Sequence, residues 1–155
     1  MVGRSDEVRQ ALTALGGDAE FRGVVLMGGS GVGKSTLARA LANILESREL
    51  NVRFVLCTET GRAVPFGAFY WLTTLVTARE PAVMLAAAQR ALEQEENLVV
   101  AVDDAHLLDP LSASLVYHLA ARGSARLIVT ITSGHALPDP VIAMCKERLL
   151  LTLRV

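Results

Sequence analysis

Short, nearly unbroken apolar runs alternate along this chain with longer stretches in which apolar residues recur every three or four positions. The runs are VVLM (24–27), VRFVLC (52–57), LVVAV (98–102), RLIVTIT (126–132) and LLLTLRV (149–155), each of strand length and apolar enough to be covered on both faces. Between them lie helical patterns. GRSDEVRQALTAL (3–15) has Ser5 placed as an N-cap and Val8, Leu12 and Leu15 on one face, with Gly16 and Gly17 to end it. KSTLARALANILESREL (34–50) aligns Leu37, Leu41 and Leu45 beside Ala38 and Ala42. TETGRAVPFG reads as a loop in which Pro65 starts a helix through FYWLTTLV, and Pro81 starts an alanine-rich helix ending near Glu96. Asp109-Pro110 is an N-cap followed by a first-turn proline and predicts a helix through Ala121, and PDPVIAMCKERL predicts a short one. Strands alternating with helices predict an α/β fold, a three-layer αβα sandwich around a five-stranded, mainly parallel sheet.

The loop between the first strand and its helix carries the clearest chemistry. In LMGGSGVGKST (26–36), Gly28, Gly33, Lys34 and Ser35 satisfy GxxxxGK[ST]. Small residues there let the backbone wrap a phosphate with its amides, and the helix N-terminus adds its positive end. Gly28, Gly29, Ser30, Gly31, Val32, Gly33, Lys34, Ser35 and Thr36 are therefore the expected nucleotide cradle, with Lys34 neutralising the terminal phosphates and Ser35 binding Mg²⁺. A second constellation is LVVAVDD (98–104), an apolar strand ending in acids. If that strand lies beside the phosphate strand, Asp103 comes near the metal and Asp104 can polarise an attacking water. Acids at a strand end also cap turns, and that reading stays open. Thr130, Thr132 and Ser133 end the fourth strand, expected beside the phosphate strand, and could meet a γ-phosphate or the water, although threonine is also simply a good strand former and serine begins turns. His106, His118 and His135 have no metal-ligand spacing and read as surface or helix-end residues.

Composition narrows the class. The 155 residues fit one domain, large enough to fold without metal or disulfide staples. A net charge of -1 gives no overall attraction for nucleic acid. Cys57 and Cys145 are the two cysteines and form no CxxC pair, and no apolar run approaches the roughly 20 residues of a membrane span. A cytoplasmic setting without membrane contact is expected. With 52% hydrophobic residues and an abrupt apolar end, the single domain 1–155 reads as a piece of a longer multidomain protein.

The order of cradle, extra strand, acid strand and polar-tipped strand resembles the additional-strand branch of P-loop ATPases, with a RecA/AAA+-like core. VGRSDEVRQALTAL resembles the entry motif of AAA+ and STAND ATPases, which implies that Gly3 and Arg4 lie near the adenine. VPFGAF and VDDAHLLDPLSASLVYHLA resemble the STAND ATPase domain of large bacterial LuxR-type transcriptional regulators. The resemblance implies an ATP/ADP- and Mg²⁺-dependent regulatory switch, joined to other domains of its parent chain. It implies nucleotide-dependent homo-oligomers too, with DNA contacted only through a separate domain. One departure stands out. The family's fourth strand commonly ends in an arginine that reads the γ-phosphate, and Thr132 occupies that position here, so Asp104, Lys34 and Thr132 are the candidate catalytic set. The alternatives are an AAA+ motor or loader, for which Arg122, Lys146 or Arg148 would have to reach a neighbour's nucleotide, and a module that binds nucleotide without turnover. A small-molecule kinase is disfavoured by the absence of a basic lid after the fourth strand.

Overall fold

The five apolar runs form one sheet, but only VVLM, LVVAV and RLIVTIT are largely buried, as strands covered by helices on both faces are. VRFVLC and LLLTLRV, expected to be covered likewise, instead form its partly exposed edges. In the computed structural model, which describes residues 4–16, 20–55, 57–64, 66–69 and 80–155, the strands are β1 (Gly23–Gly28), β2 (Asn51–Val55), β3 (Leu98–Val102), β4 (Arg126–Thr132) and β5 (Leu151–Arg154). Their order is β2-β3-β4-β1-β5, and all four pairings are parallel. The helices are α1 (Ser5–Ala14), α2 (Lys34–Ser47), α3 (Glu59–Arg62), α4 (Pro81–Glu93), α5 (Pro110–Ala121) and α6 (Asp139–Lys146).

Alternation along each strand divides the core into two layers. Val24 and Leu26 of β1, Val99 and Ala101 of β3 and Ile128 of β4 pack with Ala11 of α1 and Leu37, Leu41 and Leu45 of α2. Val25, Val100, Val102, Leu127, Val129 and Ile131 face the other way, onto Leu92 of α4, Leu115 and Leu119 of α5 and Met144 of α6. Thr130 and Thr132 continue the first series, so their side chains lie on the α2 side of the sheet.

Several expectations need correction. Ser5 is the first helical residue of α1, whose N-cap is Arg4 and has no side-chain cap bond. The segment after β2 is not all loop. Thr58 accepts a hydrogen bond from the Gly61 amide and caps the single turn of α3. The acid strand β3 does not lie beside the phosphate strand β1, because β4 separates them. The sheet puts long-range parallel pairing ahead of chain order, which strand patterns alone do not disclose. Helices α2, α4 and α6 stop a few residues short of their predicted ends, and β2 ends at Val55. Pro65 and residues 70–79, where a helix is expected from the sequence, lie outside the described residues. No helix among the described residues is long and apolar enough to cross a membrane.

Candidate functional site

Because all strands run the same way, the loops after β1, β3 and β4 open at one edge of the sheet, the usual ligand edge of such folds. The loop after β1 turns into α2 through Gly31 (φ 79°) and Gly33 (φ 94°), left-handed conformations that favour glycine. Gly28 meets a different demand. A Cβ there would sit 2.7 Å from the Val155 carbonyl oxygen and 2.9 Å from Val32, so only glycine lets this loop leave β1 beside the chain end. Lys34 is 6% exposed, and its Nζ donates to the Gly29 carbonyl at 2.7 Å, folding the ammonium back over the loop. Arg4 donates from Nη2 to the Val32 carbonyl and lies 3.9 Å from Glu7. Its guanidinium therefore braces the phosphate loop from α1. Gly3 lies outside the described residues.

Ser30, Gly31, Gly33, Lys34, Ser35 and Thr36 line a cavity of about 400 Å³ together with Asp104 and Thr132. Val32 contributes its carbonyl to Arg4 instead, and Gly29 its carbonyl to Lys34. The Ser35 hydroxyl lies 3.0 and 2.9 Å from the two carboxylate oxygens of Asp103, so cradle and acid meet although their strands are not neighbours. A hydroxyl that donates its proton to a carboxylate keeps its lone pairs for another partner. Hydroxyl and carboxylate oxygens side by side form a hard donor set of the kind Mg²⁺ takes, and the residues present fit that ion.

Asp104 sits in the left-handed region (φ 60°, ψ 59°), uncommon for a residue other than glycine. Its amide donates to Thr130 Oγ1 at 2.8 Å, and Thr132 Oγ1 lies 3.5 Å from its carboxylate. The Ser133 amide donates to the Gly28 carbonyl at 2.9 Å, which ties the end of β4 to the base of the cradle. Thr130 does not face the cavity. It is fully buried and donates to Asp103 Oδ1 at 2.5 Å. The acids also shape their surroundings. Cys57 is pushed up to about 12, by burial first and then by the charges of Asp104, Asp103 and Asp109, so it stays a thiol.

Two features were not legible beforehand. His106 is buried rather than at the surface, stacked on His135 with ring centroids 4.1 Å apart, so the Asp104 loop and the β4 loop touch. Its Nδ1 has no hydrogen-bond partner among the described residues. His118 stays on α5, its Nδ1 2.7 Å from the Ser114 carbonyl. Asp109 caps α5 as predicted, accepting from the Ser112 amide at 3.1 Å, but also accepts from the amides of Phe66 (2.8 Å) and Ala68 (3.3 Å). No local pattern announces contacts across some forty residues of chain.

A glycine-bent phosphate loop between a parallel strand and a helix, with acids at the tip of a strand two places away, defines the nucleotide-binding P-loop fold in its AAA+/RecA-like form. The sequence pattern of the AAA ATPase domain matches residues 1–131, and the chain belongs to that family. Solved structures share the fold. Hsp104 in its closed state with ATPγS and FITC-casein has a TM-score of 0.61 at 14% identity, over 99% of this chain and 27% of that one. AMPPCP-bound DnaA from Aquifex aeolicus has a TM-score of 0.62 at 14% identity, over 97% and 44%. The Thermotoga maritima Holliday junction branch migration motor RuvB has a TM-score of 0.53 at 19% identity, over 97% and 43%. The chain thus spans less than half the length of each. Comparison with curated protein sequences finds no match.

Proposed function

We propose that this domain binds ATP with Mg²⁺ and hydrolyses it slowly, as the nucleotide-dependent switch of a larger transcriptional regulator of the STAND, LuxR-type group. The observation that carries the reading is the meeting of the Ser35 hydroxyl with the Asp103 carboxylate beside the phosphate loop. Loop amides and Lys34 bind the phosphates, Lys34 exchanging the Gly29 carbonyl for phosphate oxygen. Ser35 and Asp103 hold Mg²⁺, which when bound neutralises phosphate charge as a Lewis acid. Asp104 orients the attacking water and accepts its proton, while Thr132 offers a hydroxyl to water or γ-phosphate. A neutral Thr132 in place of a guanidinium supports slow turnover, since it contributes no positive charge to the transition state. The regulator context rests on VPFGAF and VDDAHLLDPLSASLVYHLA. Other domains of the parent chain would carry the output and any DNA contact, and ATP would favour a homo-oligomer.

Single-turnover and steady-state assays test the proposal. Slow, Mg²⁺-dependent release of phosphate that disappears in Asp104→Asn supports the switch. Fast turnover that rises with protein concentration favours a motor, and ATP binding without hydrolysis leaves a binding module.

A further inference from the structure

Asp103 reaches Ser35 although β4 stands between β3 and β1, so something must hold the carboxylate across that gap. The register provides the means. Val102 of β3 is opposite Val129 of β4, and one step further brings Asp103 beside Thr130, with both side chains on the α2 face. Thr130 is fully buried, and its hydroxyl is committed in both directions. Its proton goes to Asp103 Oδ1 at 2.5 Å, and a lone pair accepts the Asp104 amide at 2.8 Å. A hydroxyl has one proton and two lone pairs, so one side chain serves both acids at once. The amide it holds belongs to a residue in a left-handed conformation, which costs free energy unless neighbours fix it.

We propose that Thr130 is the positioning residue of this site: one hydroxyl sets the Asp103 carboxylate for Mg²⁺ and locks the backbone that aims Asp104. The inference rests on the reading of the site as a Mg²⁺-dependent ATPase for its kinetic consequence, but its structural half does not. Thr130 is fully buried and does not line the cavity. It acts through its two neighbours, and its loss should be felt as weaker metal use and slower chemistry while the P-loop still grips the nucleotide.

The test compares Thr130→Val, which keeps shape and burial but has no hydroxyl, with Thr130→Ser, which restores it. In the nucleotide-free protein, exchange of the Asp104 amide with deuterium should be faster by about tenfold or more in Thr130→Val and near wild type in Thr130→Ser. With ATP, the Mg²⁺ concentration at half-maximal turnover should rise about 10- to 100-fold in Thr130→Val and kcat should fall, with metal-free ATP affinity unchanged. Serine should rescue both. If Thr130→Val does not fold, Thr130→Ala takes its place with the same expected outcomes. Wild-type exchange at Asp104 and a wild-type Mg²⁺ requirement in the hydroxyl-free variant would overturn the proposal. Should the wild-type chain take up no ATP, the reading of the site fails, and amide exchange alone decides the role of Thr130.

Discussion

The hydroxyl of Ser35, in the first turn of α2, lies within 3.0 Å of both carboxylate oxygens of Asp103, at the end of a strand two places away in the sheet. The two residues are 68 positions apart in sequence. Their meeting depends on the loop leaving β1 at the right angle, on β4 filling the gap, and on the Asp104 turn staying fixed. Each of these supports can be tested separately.

Gly28→Ala tests the first. Its Cβ would lie 2.7 Å from a backbone oxygen of Val155 and 2.9 Å from Val32 Cγ2, so the loop or the backbone at Val155 must shift to admit it. Chemical denaturation should show a loss of about 1–3 kcal/mol, the usual cost of forcing extra volume into a packed site. A variant as stable as wild type would show that the loop departs from β1 differently.

Asp109→Ala tests the support under the acid loop. The substitution removes the cap of α5 and leaves the Phe66 and Ala68 amides without their acceptor, and Phe66 itself has a positive φ of 55°. A lost cap and orphaned buried amides together should cost about 2–4 kcal/mol. Asp109→Asn keeps one acceptor oxygen and should recover part of it. Equal melting of Asp109→Ala and wild type would contradict the contact.

The His106–His135 stack predicts a pH dependence. Burial, then His135 and Arg62, hold His106 below its ordinary value of 6.5, against the opposing pull of Asp104 and Glu59. The unfolded chain therefore takes up a proton before the folded one does. The contribution to stability is full above pH 6.5 and is lost as pH falls through the depressed folded value. Melting temperatures followed from neutral pH downward should decline more steeply in wild type than in His106→Phe, which keeps an aromatic ring and has nothing to titrate. Parallel curves would rule out His106 as the source.

Arg4→Ala tests whether the guanidinium braces the phosphate loop. Losing the bond to the Val32 carbonyl should speed amide exchange across residues 30–33 and weaken ATP binding, with little change in melting because the group is only half-buried. Unchanged exchange in the loop would assign Arg4 to α1 alone.

Much of the fold was legible in the sequence because its signals are local. LVVAV lies between Asn97 and Asp103, the apolar part of RLIVTIT lies between Arg126 and Thr132, and β3 and β4 coincide with these runs; Asp109-Pro110 is an equally local mark of the start of α5. The turn from β1 into α2 is legible too, since its glycines mark the place where Gly31 and Gly33 take left-handed conformations. What was not legible is lateral. β4 lies beside β1 as expected, but the strand patterns do not say that it also separates β1 from β3, and so the γ-phosphate and plain strand-former readings of Thr130 both miss its bond to Asp103. His106, read as a surface or helix-end residue, does sit in a short helical turn, but its burial against His135 on another loop leaves no local signal.

The most direct measurement is calorimetric titration of the chain with ATP, with and without Mg²⁺, alongside Lys34→Ala. Lys34 is buried at the loop mouth with its Nζ on the Gly29 carbonyl, a charge-assisted contact worth about 1.5–3 kcal/mol, so the variant should melt somewhat below wild type but remain folded. The account predicts saturable ATP binding by the wild-type chain, tightened by Mg²⁺ and lost in Lys34→Ala. A well-folded wild-type chain that takes up no ATP, or a Lys34→Ala variant that binds it as tightly, would contradict it.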